Sequence, residues 1–63
     1  MPIITAFILE GRSVEQKKAL IHALTEAAVK TLHVPGESVR VIISTMDKDD
    51  YGIGGKTARE LGR

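Results

Sequence analysis

Sixty-three residues without a cysteine form one small domain, 1–63, with no disulfide to staple it. Nine basic and eight acidic side chains leave a formal charge of +1, which carries no nucleic-acid or membrane-surface signal. Yet 43% of the residues are hydrophobic, in a chain that buries only about 60% of its unfolded surface when it folds alone, so an oligomer is expected.

The chain opens on Met1-Pro2-Ile3-Ile4-Thr5-Ala6-Phe7-Ile8-Leu9. Ile3 to Leu9 is almost unbroken apolar sequence with β-branched residues and one aromatic, the composition of a strand covered on both faces. It lacks the basic flank and small-residue cleavage site of a signal peptide, and no apolar stretch reaches bilayer length. A cytoplasmic protein is therefore expected. Proline in second position is small enough for the initiator methionine to be trimmed, which would leave Pro2 with a free secondary amine. As an amide its nitrogen has almost no basicity; as an amine it is a base. Taken by itself, Pro2 is better read as merely the opening residue of an edge strand, with no chemistry attached.

Glu10-Gly11-Arg12 is a short turn. Ser13 with Gln16 three residues on forms a capping box, and Glu15 suits the positive end of a helix. The helix is predicted over Val14 to Leu32. Leu20, Ile21, Ala23, Leu24, Ala27, Ala28 and Leu32 share a broad apolar face, with Lys18, His22, Thr25, Glu26 and Lys30 opposite. His33-Val34-Pro35-Gly36 stops it, since proline cannot continue a helix. A second strand is predicted from Ser38 to Thr45, with Val39, Val41 and Ile43 on one face and Arg40, Ile42 and Ser44 on the other. Strand, helix and strand make a β-α-β unit of the α/β (α+β) class with parallel strands. Two strands are no stable sheet, and the remaining chain offers no others, so a second copy is expected to pair with them.

Asp47-Lys48-Asp49-Asp50 is polar, and Tyr51-Gly52-Ile53-Gly54-Gly55 is a glycine cluster leading into a loop or hairpin. The tail from Lys56 to Arg63 fits a helical turn or a short strand. Gly54-Gly55-Lys56-Thr57 superficially suggests a phosphate loop, but Asp50 stands where the first glycine is required. His22 and His33 have no cysteine partner and no acid at ligand spacing, so no metal site is expected. Glu15, Glu26 and Glu60 have no spacing that pairs two carboxylates.

Arg12 and Arg40 stand out. Arg40 lies in a strand on a face shared with Ile42, where arginine rarely sits without a partner. Each alone reads as a surface ion pair. Together with an amine at Pro2, two guanidiniums suit a dianion, which they grip bidentately and without deprotonating.

Pro2 with its apolar strand, then Leu9-Glu10-Gly11-Arg12-Ser13 with Glu15-Gln16-Lys17, resembles the 4-oxalocrotonate (2-hydroxymuconate) tautomerases. So do Ser38-Val39-Arg40-Val41-Ile42-Ile43, Met46 and Tyr51-Gly52-Ile53-Gly54-Gly55. The resemblance runs from Pro2 to about Gly55 without a gap. It implies the tautomerase fold, with sheets shared between subunits of a homohexamer built as a trimer of dimers. It also implies a cofactor-free isomerase of small unsaturated dicarboxylates from the cleavage of aromatic rings. By position, Pro2 matches the general base and Arg12 the arginine on the remote carboxylate. Arg40 matches the arginine from a neighbouring subunit that holds the 2-oxo oxygen and nearby carboxylate. Tyr51 stands where the family usually has phenylalanine, whose ring keeps the amine's pKa low; a phenol admits a wetter pocket or a more polar substrate.

Leu9 separates the chain from the related chloroacrylate dehalogenases, which carry a further arginine there and need a water-activating carboxylate. Two other readings follow from the same residues. One is a promiscuous hydratase, dehalogenase or carbon–carbon bond-forming relative working through Pro2. The other is a non-catalytic oligomer that captures acidic metabolites with Arg12 and Arg40.

Overall fold

A computed structural model describes residues 1–63. Its elements in order are β1 (Ile3–Leu9), α1 (Val14–Leu32), a 3-10 turn (Gly36–Ser38), β2 (Arg40–Met46), β3 (Gly52–Ile53) and β4 (Lys56–Thr57). β1 and β2 pair in parallel, from Ile3 opposite Arg40 to Leu9 opposite Met46. Main-chain bonds extend the ladder beyond both ends, Arg40 N to Pro2 O at 2.9 Å and Glu10 N to Met46 O at 2.8 Å.

The helix has the expected limits because its ends are set locally. Ser13 accepts from the Gln16 amide at 3.1 Å while the Gln16 side chain accepts from the Ser13 amide at 3.0 Å. These reciprocal bonds satisfy two otherwise orphaned donors. At the other end His33 takes the left-handed conformation (φ 57°, ψ 49°), and its amide caps the Val29 carbonyl. The helix therefore ends at His33, two residues before Pro35. The following residues form the 3-10 turn, so β2 begins at Arg40 and not at Ser38, and it runs on to Met46.

The helix face is narrower than the sequence suggests. Leu20, Leu24, Ala28 and Val29 are half-buried or buried, whereas Ile21 and Leu32 remain exposed. Thr25 is half-buried instead of solvated, with its hydroxyl donated to the Ile21 carbonyl at 2.8 Å. Two strands about 5 Å apart can cover only one stripe of a helix. No helix is long and apolar enough to cross a membrane.

β1 is likewise covered on one face, not two. Ile4, Ala6 and Ile8 alternate with Ile3 (64% exposed), Thr5 and Phe7 (68% exposed). In β2, Arg40 and Ile42 lie in register with Ile3 and Thr5, and Ile42 is 52% exposed. The part of this face bearing Ile3, Phe7 and Ile42 is thus open and largely apolar, with Arg40 at its start. Only Ala28, Val39 and Ala58 are buried. The radius of gyration is 14.6 Å, against about 11 Å for a compact chain of this length. The surface is 4677 Å², against about 4,000 Å² for a compact monomer of 6.8 kDa. The chain is an open leaf.

The glycine cluster does supply two further strands, which form a separate hairpin and leave the edges of the main sheet unpaired. Gly54 and Gly55 both have positive φ (61° and 87°), as a two-residue hairpin turn requires. The tail then closes into a turn in which Glu60 accepts from the Thr57 amide at 3.1 Å and the Thr57 hydroxyl accepts from the Glu60 amide at 3.1 Å. Ala58 at its start is fully buried, with its amide bonded to the Tyr51 carbonyl at 2.8 Å.

Candidate active site

The parallel register sorts the four candidate residues into two pairs. Pro2 and Arg40 stand together where both main strands begin. Arg12 and the loop carrying Tyr51 leave from where both strands end. A seven-residue strand is about 20 Å long at about 3.3 Å per residue, so the two pairs leave the sheet from ends about that far apart.

At the first end Pro2 is half-buried and its carbonyl accepts from the Arg40 amide. The Arg40 side chain belongs to the open face of the sheet, beside Ile3 and Ile42. Its guanidinium donates through Nη1 to the Glu37 carbonyl of the 3-10 turn. A main-chain carbonyl satisfies part of the group without neutralising it, so the positive charge stays available.

At the second end Gly11 turns the chain with φ 112°, a conformation that favours glycine, and so delivers Arg12 immediately before the helix cap Ser13. A groove of about 540 Å³ opens here. Ile8 and Leu9 form its apolar part, while Glu10, Arg12, Lys48 and Arg63 supply charge. Tyr51 is 42% exposed at the root of the hairpin.

Sequence reading missed a fifth residue, Arg59. Its Nε lies 2.7 Å from Asp49 Oδ1, and its Nη2 lies 3.1 Å from Asp47 Oδ1 and 3.5 Å from Glu10 Oε1. Its amide also donates to the Lys48 carbonyl at 3.2 Å. The Asp49 amide and then Arg59 hold the Asp47 carboxyl below its ordinary value, because both stabilise the anion. Asp49 and then Asp47 raise the Arg59 guanidinium still further. The acidic run 47–50 was the only visible signal; the arginine that gathers it lies ten and twelve positions away.

His22 and His33 do not meet a third ligand: the first is exposed on the helix, the second caps it. No group of three histidine, cysteine or acidic side chains is placed to hold a metal. Chemically, one end offers a half-buried proline joined through its carbonyl to the Arg40 main chain, and the other a charged groove with an apolar lining.

The family model described as Tautomerase enzyme matches residues 2–60. The chain belongs to the tautomerase family. Among its relatives, a 2-hydroxymuconate tautomerase from Pseudomonas putida is 52% identical over all 63 residues, covering both chains completely. The solved structure of an unfused 4-OT in its apo form has a TM-score of 0.92 at 48% identity, covering 97% of this chain and 100% of that one. A heterohexamer 4-oxalocrotonate tautomerase from Chloroflexus aurantiacus has a TM-score of 0.90 at 39% identity, over 97% and 98% of the two chains. This tautomerase is accordingly an isomerase with the α+β fold of that group, one helix on a parallel β-α-β unit.

Proposed function

We propose that this tautomerase, once Met1 is removed, converts 2-hydroxymuconate-type dienols into 2-oxo-3-enoate dicarboxylates without a cofactor, using the Pro2 amine as general base. Full-length identity of 52% to a 2-hydroxymuconate tautomerase carries the reading. The nitrogen removes the 2-hydroxyl proton of the dienol and returns it to C5, so the double bonds shift and a C2 ketone forms. Arg12 holds the carboxylate remote from the reacting end. Arg40 of a neighbouring copy stabilises the oxygen on which charge develops.

The geometry supports a site assembled from several copies. Pro2 and Arg12 of one chain are separated by the length of β1, whereas a six-carbon dicarboxylate spans less than half of it. This separation supports a site in which a second copy brings its Arg12 to this Pro2. The open face bearing Ile3, Phe7 and Ile42 also bears Arg40, so a copy packed there covers apolar surface and delivers a guanidinium together. A homohexamer, a trimer of dimers, satisfies both demands, and a relative described as a heterohexamer favours that order of assembly.

The test joins activity to assembly. Trimmed protein should ketonise 2-hydroxymuconate, followed by loss of the dienol absorbance, and should sediment as an oligomer. A fully active species of 6.8 kDa would overturn the shared site, and absence of turnover would overturn the reaction.

A further inference from the structure

The groove at the end of β1 carries more positive charge than one remote carboxylate needs. Arg12, Lys48 and Arg63 all line it, and no carboxylate pairs with any of them. Lys48 is the unusual member. It is half-buried, and its ammonium makes neither an ion pair nor a hydrogen bond. Three neighbouring cations left unpaired repel one another and favour an anionic occupant.

They are unpaired although acids are close by in the chain. Glu10 lines the same groove, and Asp47 and Asp49 flank Lys48. All three carboxylates are taken by Arg59, which lies outside the groove lining. Asp50 is the one acid of the loop left over, and it does not line the groove. Arg59 belongs to the C-terminal turn and is anchored there by its amide on the Lys48 carbonyl. It sits where it can hold the acids back from the cations.

We propose that Lys48 binds substrate beside Arg12, and that Arg59 is a positioning residue that keeps these cations free by holding Glu10, Asp47 and Asp49. The groove so made selects for a carboxylate at the end of the substrate remote from the reaction. This rests on the reading of Arg12 given above and deepens it: specificity for a dicarboxylate is shared among several cations and guarded by a fourth. The ligand class is a linear dicarboxylate with a short unsaturated or saturated spacer against Ile8 and Leu9.

The test has a binding arm that needs no turnover. Adipate is titrated calorimetrically into the assembled wild-type protein and into Lys48→Met, Arg59→Gln, Arg59→Lys and, as a control for net charge, Lys18→Met on the exposed side of α1. Lys48→Met should weaken adipate about fivefold, the range of a partly screened charge pair, while Lys18→Met leaves it unchanged. Arg59→Gln should weaken it about threefold, because the freed acids compete for the same cations, and Arg59→Lys should restore it. In the turnover arm, Lys48→Met and Arg59→Gln should raise KM for 2-hydroxymuconate and spare 2-hydroxy-2,4-pentadienoate, which lacks the remote carboxylate. Equal losses in Lys48→Met and Lys18→Met, or no adipate binding by the wild type, would overturn the proposal. An Arg59→Gln protein equally impaired on both dienols, with a lowered Tm, would reduce Arg59 to scaffolding. Failure of the wild type to turn over either dienol would count against the proposed dienol substrate and Pro2 mechanism alone, since the adipate series judges the groove independently.

Discussion

At the start of β1, Pro2 and Arg40 are joined by a main-chain hydrogen bond beside an exposed apolar face; at its end, Arg12 and Lys48 stand in a charged groove beside three carboxylates already claimed by Arg59. The first end holds a proline whose nitrogen becomes a base only once Met1 is removed, joined through its carbonyl to the Arg40 main chain. The second has the chemistry of recognition, fixed positive charge over an apolar lining. A strand is too stiff to fold back, so a single copy can never close one end on the other. Under the proposed function, catalysis and recognition would fall at different places in the chain, and assembly would be the step that joins them.

The largest way to break this contrast is to block the first end. Retaining Met1 makes the Pro2 nitrogen an amide, and turnover of 2-hydroxymuconate should fall by about 10²–10⁴-fold, the usual worth of a positioned base. Mass spectrometry must show the extra residue in the assayed sample. Unchanged rates with Met1 attached would refute Pro2 as the base. In trimmed protein kcat/KM should rise with pH as the amine loses its proton. A guanidinium facing the amine disfavours its charged form, so Arg40→Ala should move that rise to higher pH.

Phe7→Asp tests the surface between the ends. Phe7 is 68% exposed in the protomer, where such a change should shift stability by no more than about 0.5 kcal/mol. If the open face is an interface, sedimentation should instead show dissociation, with activity lost in parallel. An intact, active oligomer would mean that this face is not where copies meet.

The arginines should separate by kinetic parameter. Arg12→Ala removes a contact made equally in ground and transition states and should raise KM about 10- to 100-fold. Arg40→Ala should chiefly lower kcat, because its oxygen gains charge as the proton leaves. Identical changes in both parameters from both variants would erase the division of labour.

Mixing sharpens the comparison without new chemistry. Met1-retaining protomers and trimmed Arg12→Ala protomers should each be inactive or weak. Random co-assembly should restore up to about a quarter of the sites, those with an intact Pro2 facing an intact Arg12 from another copy. No recovery after verified exchange would place both residues of a site in one chain.

The smallest effect concerns the Arg59 cluster. Asp47 has its carboxyl held below the ordinary 3.8, so its contribution is present above that value and is lost as pH falls through the lowered one. Arg59 is raised and stays charged throughout this range. Hydrogen-exchange protection of the C-terminal turn, corrected for the intrinsic rate at each pH, should therefore fall below about pH 4, more steeply in the wild type than in Asp47→Asn. Parallel pH profiles would remove Asp47 from that role.

Much of this protein was legible without coordinates wherever the deciding forces are local. The start of α1 follows from a capping box four residues long, and the parallel β-α-β order follows from strand, helix and strand in succession. The hairpin turn follows from two adjacent glycines that tolerate positive φ. The candidates Pro2, Arg12, Arg40 and Tyr51 were visible as residue types in motifs. Their separation into two ends was not, because it depends on the register between strands more than thirty residues apart in the chain. Nor could periodicity say which stripe of α1 would meet the sheet, since a two-stranded sheet leaves Ile21 and Leu32 uncovered. Arg59 gathers Glu10 from 49 positions away, and no propensity or spacing rule encodes a contact of that range. Backbone preference acts over a few residues, and so the sequence by itself determined the elements; charge and packing act through space, and only the tertiary structure decided which residues stand together.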